Sequence, residues 1–259
     1  MYKRQVKNRK NLEIITKANV VRLIFDGKKA VGLEYMHQGK KKKIRAHKEV
    51  ILSAGSLMSP TILQRSGIGA LEDINPHGIK LIHELPGVGK NLQDHIDFNF
   101  CFKTYDKNTL GFSPGGFLKI LGEMAKWLTH GNSMISSTLS EAGGFLKTDQ
   151  SLDRPDIQHH FVIGLIDDHL RKLHYGYGYS CHVCLLRPYS RGTVSLASAK
   201  HDDAPLINPN FLNDNRDLDT LIKGAKMTQN ILNTPPLKKY QKREIYGVHS
   251  NLTDKEWEQ

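Results

Sequence analysis

The sequence predicts an α+β chain in two lobes, an α/β portion followed by an antiparallel sheet with covering helices. Three observations predict it. Runs of Val, Ile, Phe and Tyr separated by Asp-Gly and Gly turns open the chain. A short apolar strand then runs into a turn of small residues and a helix start. Beyond about residue 95 the pattern becomes strand-rich, with two stretches at helical spacing. The 259 residues allow one large domain or two ordinary ones, and 39% hydrophobic residues supply a core. The expected division is 1–95 for the first lobe, 96–250 for the second and 251–259 for a truncated tail.

The elements follow in order. Residues 11–15 and 20–25 read as strands, and 30–35 as a strand returning from a tight turn at Asp26-Gly27, where Gly accepts positive φ. The four lysines at 40–43 read as a solvated hairpin tip, followed by an edge segment over 44–47. Residues 49–52 read as a buried strand. Ser59 then suits an N-cap and Pro60 a first helical position, with the helix ending at Ser66-Gly67. An amphipathic helix is expected over 119–128, strands over 156–196, and a helix over 217–232 closed by Pro235-Pro236.

Composition narrows the partners. Lys plus Arg number 37 and Asp plus Glu 26, a formal charge of +11. This suits an anionic partner: nucleic acid, acidic lipid headgroups or a phosphorylated cofactor. The lysines cluster only at 40–43, without interleaved aromatics, so nucleic acid is set aside. Three cysteines are too few for a disulfide framework and fit a reducing, cytoplasmic setting. No apolar run approaches the ~18 residues of a membrane span, and the basic first residues lack the apolar stretch of a secretory signal.

The chemistry concentrates after residue 52. Strand, tight turn and helix start is a geometry that presents backbone N–H groups to a phosphate. The string Gly55-Ser-Leu-Met-Ser59-Pro60-Thr-Ile-Leu-Gln-Arg-Ser66-Gly67-Ile68-Gly69 resembles the second signature of the glucose–methanol–choline (GMC) oxidoreductases, which are FAD enzymes. The likeness continues through Leu85-Pro-Gly-Val-Gly-Lys-Asn-Leu-Gln-Asp-His95, Ser140-Glu-Ala-Gly-Gly-Phe145, Pro155-Asp-Ile-Gln-His-His-Phe161, Arg187-Pro-Tyr-Ser-Arg-Gly-Thr-Val-Ser-Leu196 and Pro205-Leu-Ile-Asn-Pro-Asn-Phe-Leu212. A Walker loop at Gly87-Val-Gly89-Lys90 is rejected, because positions 84 and 91 hold Glu84 and Asn91.

The resemblance implies a partial two-lobed GMC oxidoreductase fold, most like bacterial choline dehydrogenases and membrane-associated aliphatic alcohol dehydrogenases. It implies FAD as cofactor, a small-molecule alcohol oxidised at its CH–OH group to the aldehyde, a quinone or another electron acceptor, and peripheral contact with the inner membrane. The first lobe becomes the rear part of an FAD-binding domain and the second a substrate-binding domain. Val20, Ala54, Gly55 and Asn91 become cofactor-binding candidates, Ser59 and Pro60 structural ones. The family's GxGxxG opening and its closing segment with the catalytic His are absent, so the chain reads as an internal fragment, inactive in isolation, with no catalytic residue assigned. The alternative is a non-catalytic basic remnant acting as a binding module.

Glu141 and His160 become substrate-facing candidates. Glu141 suits a cationic substrate such as choline, against the plainer reading of a carboxylate paired with a neighbouring base. His159 and His160 point to opposite faces if 158–162 is a strand. Cys181-His-Val-Cys184 has CxxC spacing, but no second ligand pair exists, and the thiols read as small hydrophobes in a buried strand; no metal is expected.

Overall fold

The structure is a computed structural model that describes residues 5–6, 8–167, 171–246, 252 and 254–257. In chain order the first elements are β1 (Ala18–Asp26), β2 (Lys29–His37), β3 (Lys40–Arg45), α1 (Gly55–Arg65), β4 (Ile68–Gly69), α2 (Leu71–Ile74) and β5 (His83–Glu84). Then come β6 (Asp97–Lys103), β7 (Gly111–Phe112), α3 (Pro114–His130), β8 (Ser140–Leu146), β9 (Ile157–Val162) and β10 (Gly176–Leu185). The last are β11 (Thr193–Ser195), β12 (Leu206–Asn208), α4 (Asn215–Leu232), α5 (Pro235–Lys238), β13 (Arg243–Glu244) and α6 (Asp254–Trp257). Of the expected tail over 251–259, residues 251, 253, 258 and 259 lie outside the described residues.

The chain divides into two compact units, residues 1–93 with 191–210, and 94–190 with 211–259. The expected boundaries gave 191–210 to the second lobe; the structure gives it to the first. The reason is hydrogen bonding: Val194 N–H donates to the Gly89 carbonyl at 2.7 Å, and Leu92 bridges Gly192. Buried Gln64 on α1 reaches the Val88 and Val194 carbonyls at 3.5 and 3.4 Å.

In the first unit, β1, β2 and β3 form an antiparallel meander. Asp26 pairs with Lys29, so the turn is Gly27-Lys28, one residue later than expected, with positive φ at Gly27 only. That pattern suits a glycine-first hairpin turn. Gln38 and Gly39, both at positive φ, make the second turn. The lysines at 40–43 are therefore not a tip but a fully exposed edge strand, where charge discourages pairing with another chain. Beneath them Glu34, 3% exposed, is held by Arg22 at 2.8 Å and Lys43 at 3.2 Å.

Two strands expected here do not form. Residues 11–15 carry no ladder, and Leu12, Ile14 and Ile15 are exposed. Residues 49–52 belong to no ladder among the described residues, and Ile51 is 78% exposed. A strand needs a neighbour to satisfy its N–H and C=O groups, whatever its own propensity.

The second unit is built on a six-stranded sheet, ordered β13-β6-β10-β9-β8, with β7 also paired to β10. Alternation along the strands sorts the side chains. One face presents Phe100, Phe102, Ile157, Tyr179, Cys181 and Val183 to Leu221, Ala225 and Leu232 of α4. Helix α4 approaches closely because Gly224 lies over Ile157; an added Cβ there would sit 2.8 Å from its side chain. Asp214 caps α4 by accepting the Arg216 amide. Pro235-Pro236 opens α5 behind the cap residue Thr234 as it follows α4. Helix α3 runs well beyond the expected 119–128, capped by Ser113 and closed by Gly131 at φ +72.

Candidate functional site

Helix α1 starts at Gly55, a full turn before the expected Ser59-Pro60 start. Ser59 acts from inside the helix instead: its Oγ accepts the Ala54 amide at 3.1 Å. No side chain caps the first turn, so the Gly55, Ser56 and Leu57 amides have no helical partner and point outward with the positive end of the helix dipole. Pro60 has no N–H, so the Ser56 carbonyl loses its i+4 donor. Gly55 itself sits at φ +81 with nothing within 4 Å of where a Cβ would be. The signature thus makes an open set of backbone donors at one helix end.

A cavity of about 370 Å³ lies against this end, lined by Ser56, Pro60, Gly89, Lys90, Asn91 and Leu92 among others. Asn91 is exposed at φ +60. Lys90 supplies positive charge, shared with Asp73 at 2.8 Å. Of the expected cofactor-binding residues Asn91 lines this cavity, whereas Gly55 and Ala54 are not among its lining residues and precede Ser56, which is, as first residue and cap of α1. Val20 is elsewhere: its neighbour Val21 accepts from Arg65 at 3.0 Å, and Leu23 N–H donates to Ser66 Oγ at 2.8 Å, both at the far end of α1. Eleven residues of helix, ~15 Å, lie between.

In the second unit the sheet face turned away from α4 carries a row of polar residues. Register places Gly143, His160, His182 and Asn99 in one row across β8, β9, β10 and β6. His182 Nδ1 meets Asp97 at 2.5 Å. His160 is half-buried on this face; His159, on the other, is buried against Thr228 of α4 at 2.7 Å, as the alternation predicts. Burial holds the His159 imidazole below its usual pKa, with His160 adding to the effect. Glu141 is exposed at the bulge between Ser140 and Ala142 and makes no ion pair or hydrogen bond among the described residues, so the paired-carboxylate reading does not hold. Neither His182 nor Asn99 stood out in the sequence, because their place beside His160 is set only by strand register.

Cys181 and Cys184, three apart on a strand, fall on opposite faces, and both are buried. Burial pushes their thiols up to about 12 and about 11. Among the described residues no group of metal-ligating side chains forms.

Two family profiles, both described as GMC oxidoreductase, match residues 2–97 and 188–259. Together they span more than half of the chain. The chain belongs to the GMC oxidoreductase family. It is 39% identical over 255 residues to an alcohol dehydrogenase [acceptor] of Pseudomonas putida, covering 96% of this chain and 46% of that one. It is 35% identical over 242 residues to oxygen-dependent choline dehydrogenase 1 of Chromohalobacter salexigens, covering 92% and 42%. Among solved structures, an Aspergillus oryzae formate oxidase variant described for its FAD modification superposes with TM-score 0.87 at 25% identity, covering 98% of this chain and 49% of the other. The chain therefore spans about half the length, or less, of these relatives.

FAD is the cofactor of this family, and the chain's own residues fit it. The uncapped amides of α1 and the positive charge of Lys90 suit the phosphates of such a group.

Proposed function

We propose that this chain is part of an FAD-dependent enzyme that oxidises a small alcohol at its CH–OH group to the aldehyde. The observation that carries the reading is the cavity at the start of α1, where signature residues Ser56 and Pro60 meet Asn91 of the following loop. In this reading Ala54, Gly55 and Asn91 contact FAD at that end and Val20 contacts it at the other end of α1. The bound FAD supplies the hydride acceptor. Glu141, an unpaired carboxylate, balances a cationic substrate such as choline, and His160 hydrogen-bonds the substrate hydroxyl from the polar sheet face. The names of the relatives, alcohol dehydrogenase [acceptor] and choline dehydrogenase, support this substrate class. The acceptor that reoxidises the flavin is a quinone or another small oxidant. Among the described residues no helix is long and apolar enough to cross a membrane, so membrane contact on the cytoplasmic side is peripheral in this proposal.

The test is titration of the purified chain with FAD, read by flavin fluorescence. Gly55→Val is expected to weaken binding at least ~tenfold, since it adds a branched side chain where φ is positive. In the full-length enzyme, Glu141→Gln is expected to raise KM for choline with little change for an uncharged alcohol. Binding that ignores Gly55→Val sinks the cofactor assignment, and an equal KM change for both substrates sinks the role of Glu141.

A further inference from the structure

The polar row on the sheet of the second unit is made of groups whose hydrogen-bonding roles are already decided. Register sets Asn99 beside His182 and His182 beside His160, each one strand apart. His182 Nδ1 stands 2.5 Å from the Asp97 carboxylate, so this nitrogen carries the hydrogen and donates it. In the neutral ring Nε2 is then a bare acceptor, and it makes no hydrogen bond among the described residues. The ring is held but not sealed: its side chain is 18% exposed and that of Asp97 37%. Asn99 is fixed in the same way. Its amide nitrogen donates to the Ile166 carbonyl at 2.6 Å, which turns Oδ1 away as a second acceptor, buried and without a partner. On the other side Gly143 is the register partner of His160, so β8 sets no side chain directly beside that imidazole.

We propose that His182, held by Asp97, is a substrate-binding residue that accepts a hydrogen bond from a second donor on the alcohol. That donor is an O–H or N–H lying one strand spacing, ~4.8 Å, from the hydroxyl at His160. The proposal rests on the reading that His160 meets the substrate hydroxyl, and it adds the substrate class: a diol, or an amino alcohol that keeps an N–H, rather than a simple alkanol. The bare acceptor at Nε2 selects this class. A hydrocarbon substituent on that side displaces water from Nε2 and returns no hydrogen bond, so it carries the desolvation cost of the acceptor. A quaternary ammonium does the same, since its nitrogen bears no hydrogen. Glu141 balances a protonated amine as well as a quaternary one. Asp97 is the positioning residue: by accepting from Nδ1 it fixes the ring direction and leaves Nε2 as the acceptor. The unpartnered Oδ1 of Asn99 beyond His182 adds to the acceptor character of the row.

The test is steady-state turnover by the full-length enzyme of n-propanol, trimethylene glycol and n-propanolamine, with a dye as electron acceptor. Trimethylene glycol is expected to exceed n-propanol at least ~tenfold in kcat/KM, carried by KM, and n-propanolamine to share the gain. His182→Phe keeps a ring at the position and is expected to bring the glycol and n-propanol to near parity. Asp97→Ala is expected to lose several-fold of the preference and Asp97→Asn to recover it, because the amide oxygen still accepts the Nδ1 hydrogen. A purely structural pair would lower turnover of all three alcohols together with the preference intact, and that result overturns the proposal. A parent enzyme without preference for the glycol overturns it as well, and this comparison needs no variant to fold. Preference for n-propanolamine alone assigns the effect to the charge of Glu141 and overturns it too. Absence of turnover with every alcohol, in an enzyme that holds FAD, sinks the oxidation reading and this proposal with it, whereas turnover without the preference sinks this proposal alone.

Discussion

The Ser59 hydroxyl accepts the Ala54 amide at 3.1 Å, reaching back five residues to the cap of the helix it sits in. This bond ties the turn before α1 to the helix and leaves the Gly55, Ser56 and Leu57 amides free for a ligand. Ser59→Ala is expected to lower stability by about 1 kcal/mol, in line with loss of a capping hydroxyl, and to weaken FAD binding several-fold. Thermal melts and flavin titration on the same samples check it. Full FAD affinity with lowered stability would limit Ser59 to a structural role.

Gly89 is the most constrained position around the cavity. At φ +80 a Cβ would stand 2.2 Å from the Val194 carbonyl oxygen and 2.7 Å from Gln64 Nε2. The loop must therefore shift for any side chain to fit, and the Val194-to-Gly89 hydrogen bond shifts with it. Gly89→Ala is expected to cost about 2–3 kcal/mol through strain and lost bonding, measured by chemical denaturation. A variant as stable as the parent would show that β11 does not hold the loop.

Glu34 makes the meander acid-sensitive. Hydrogen bonding from Arg22 and Lys43 outweighs burial and holds its carboxyl at about 2. A carboxylate with a lowered folded pKa stabilises fully above its unfolded pKa of ~4.3, and this stabilisation is lost as the pH falls from there toward 2. Discounting for the half-exposed Arg22 and Lys43, the contribution is about 1–2 kcal/mol. The melting temperature of Glu34→Gln should therefore lie below the parent's at pH 6 and converge with it toward pH 2.5. A constant offset across that range would contradict the assignment.

The cysteines should behave as core residues. With all three described as buried and their thiols pushed up by burial, the folded chain is expected to react slowly with a thiol reagent at pH 8 and rapidly once unfolded. Zinc should leave the melting temperature unchanged. Prompt native labelling, or a zinc-dependent rise in stability, would reopen a metal or redox role for the Cys181/Cys184 pair.

Several features were legible in the residues themselves because local chemistry determines them. The hairpin at Gly27 follows from a dipeptide that tolerates positive φ, the end of α1 from Ser66-Gly67, and the course of α4 from apolar spacing over Leu218 to Leu232. The opposite orientations of His159 and His160 follow from strand alternation alone. Family membership was legible for a related reason: the signature from Gly55 to Gly69 is a continuous run, so its meaning does not depend on what folds against it.

What tertiary structure decided are the features that need a partner distant in sequence. Residues 49–52 have the composition of a strand but belong to no ladder among the described residues, and Ile51 faces solvent. Residues 191–210 join the first unit because Gly89 and Gln64 bond to Val194, a pairing across about a hundred residues that no local pattern encodes. The start of α1 moved from Ser59 to Gly55 because the Ser59 hydroxyl turned back to Ala54. The row of Asn99, His182 and His160 exists only through the register of three strands. The exposure of α3 is also a tertiary outcome: its apolar spacing would have served equally well for a buried helix, and only the seating at Gly116 leaves Phe117, Leu118 and Leu128 in the open. Local sequence determines conformations that cost little to adopt alone, whereas ladders, burial and shared cavities are settled by which distant groups satisfy one another's hydrogen bonds and exclude water.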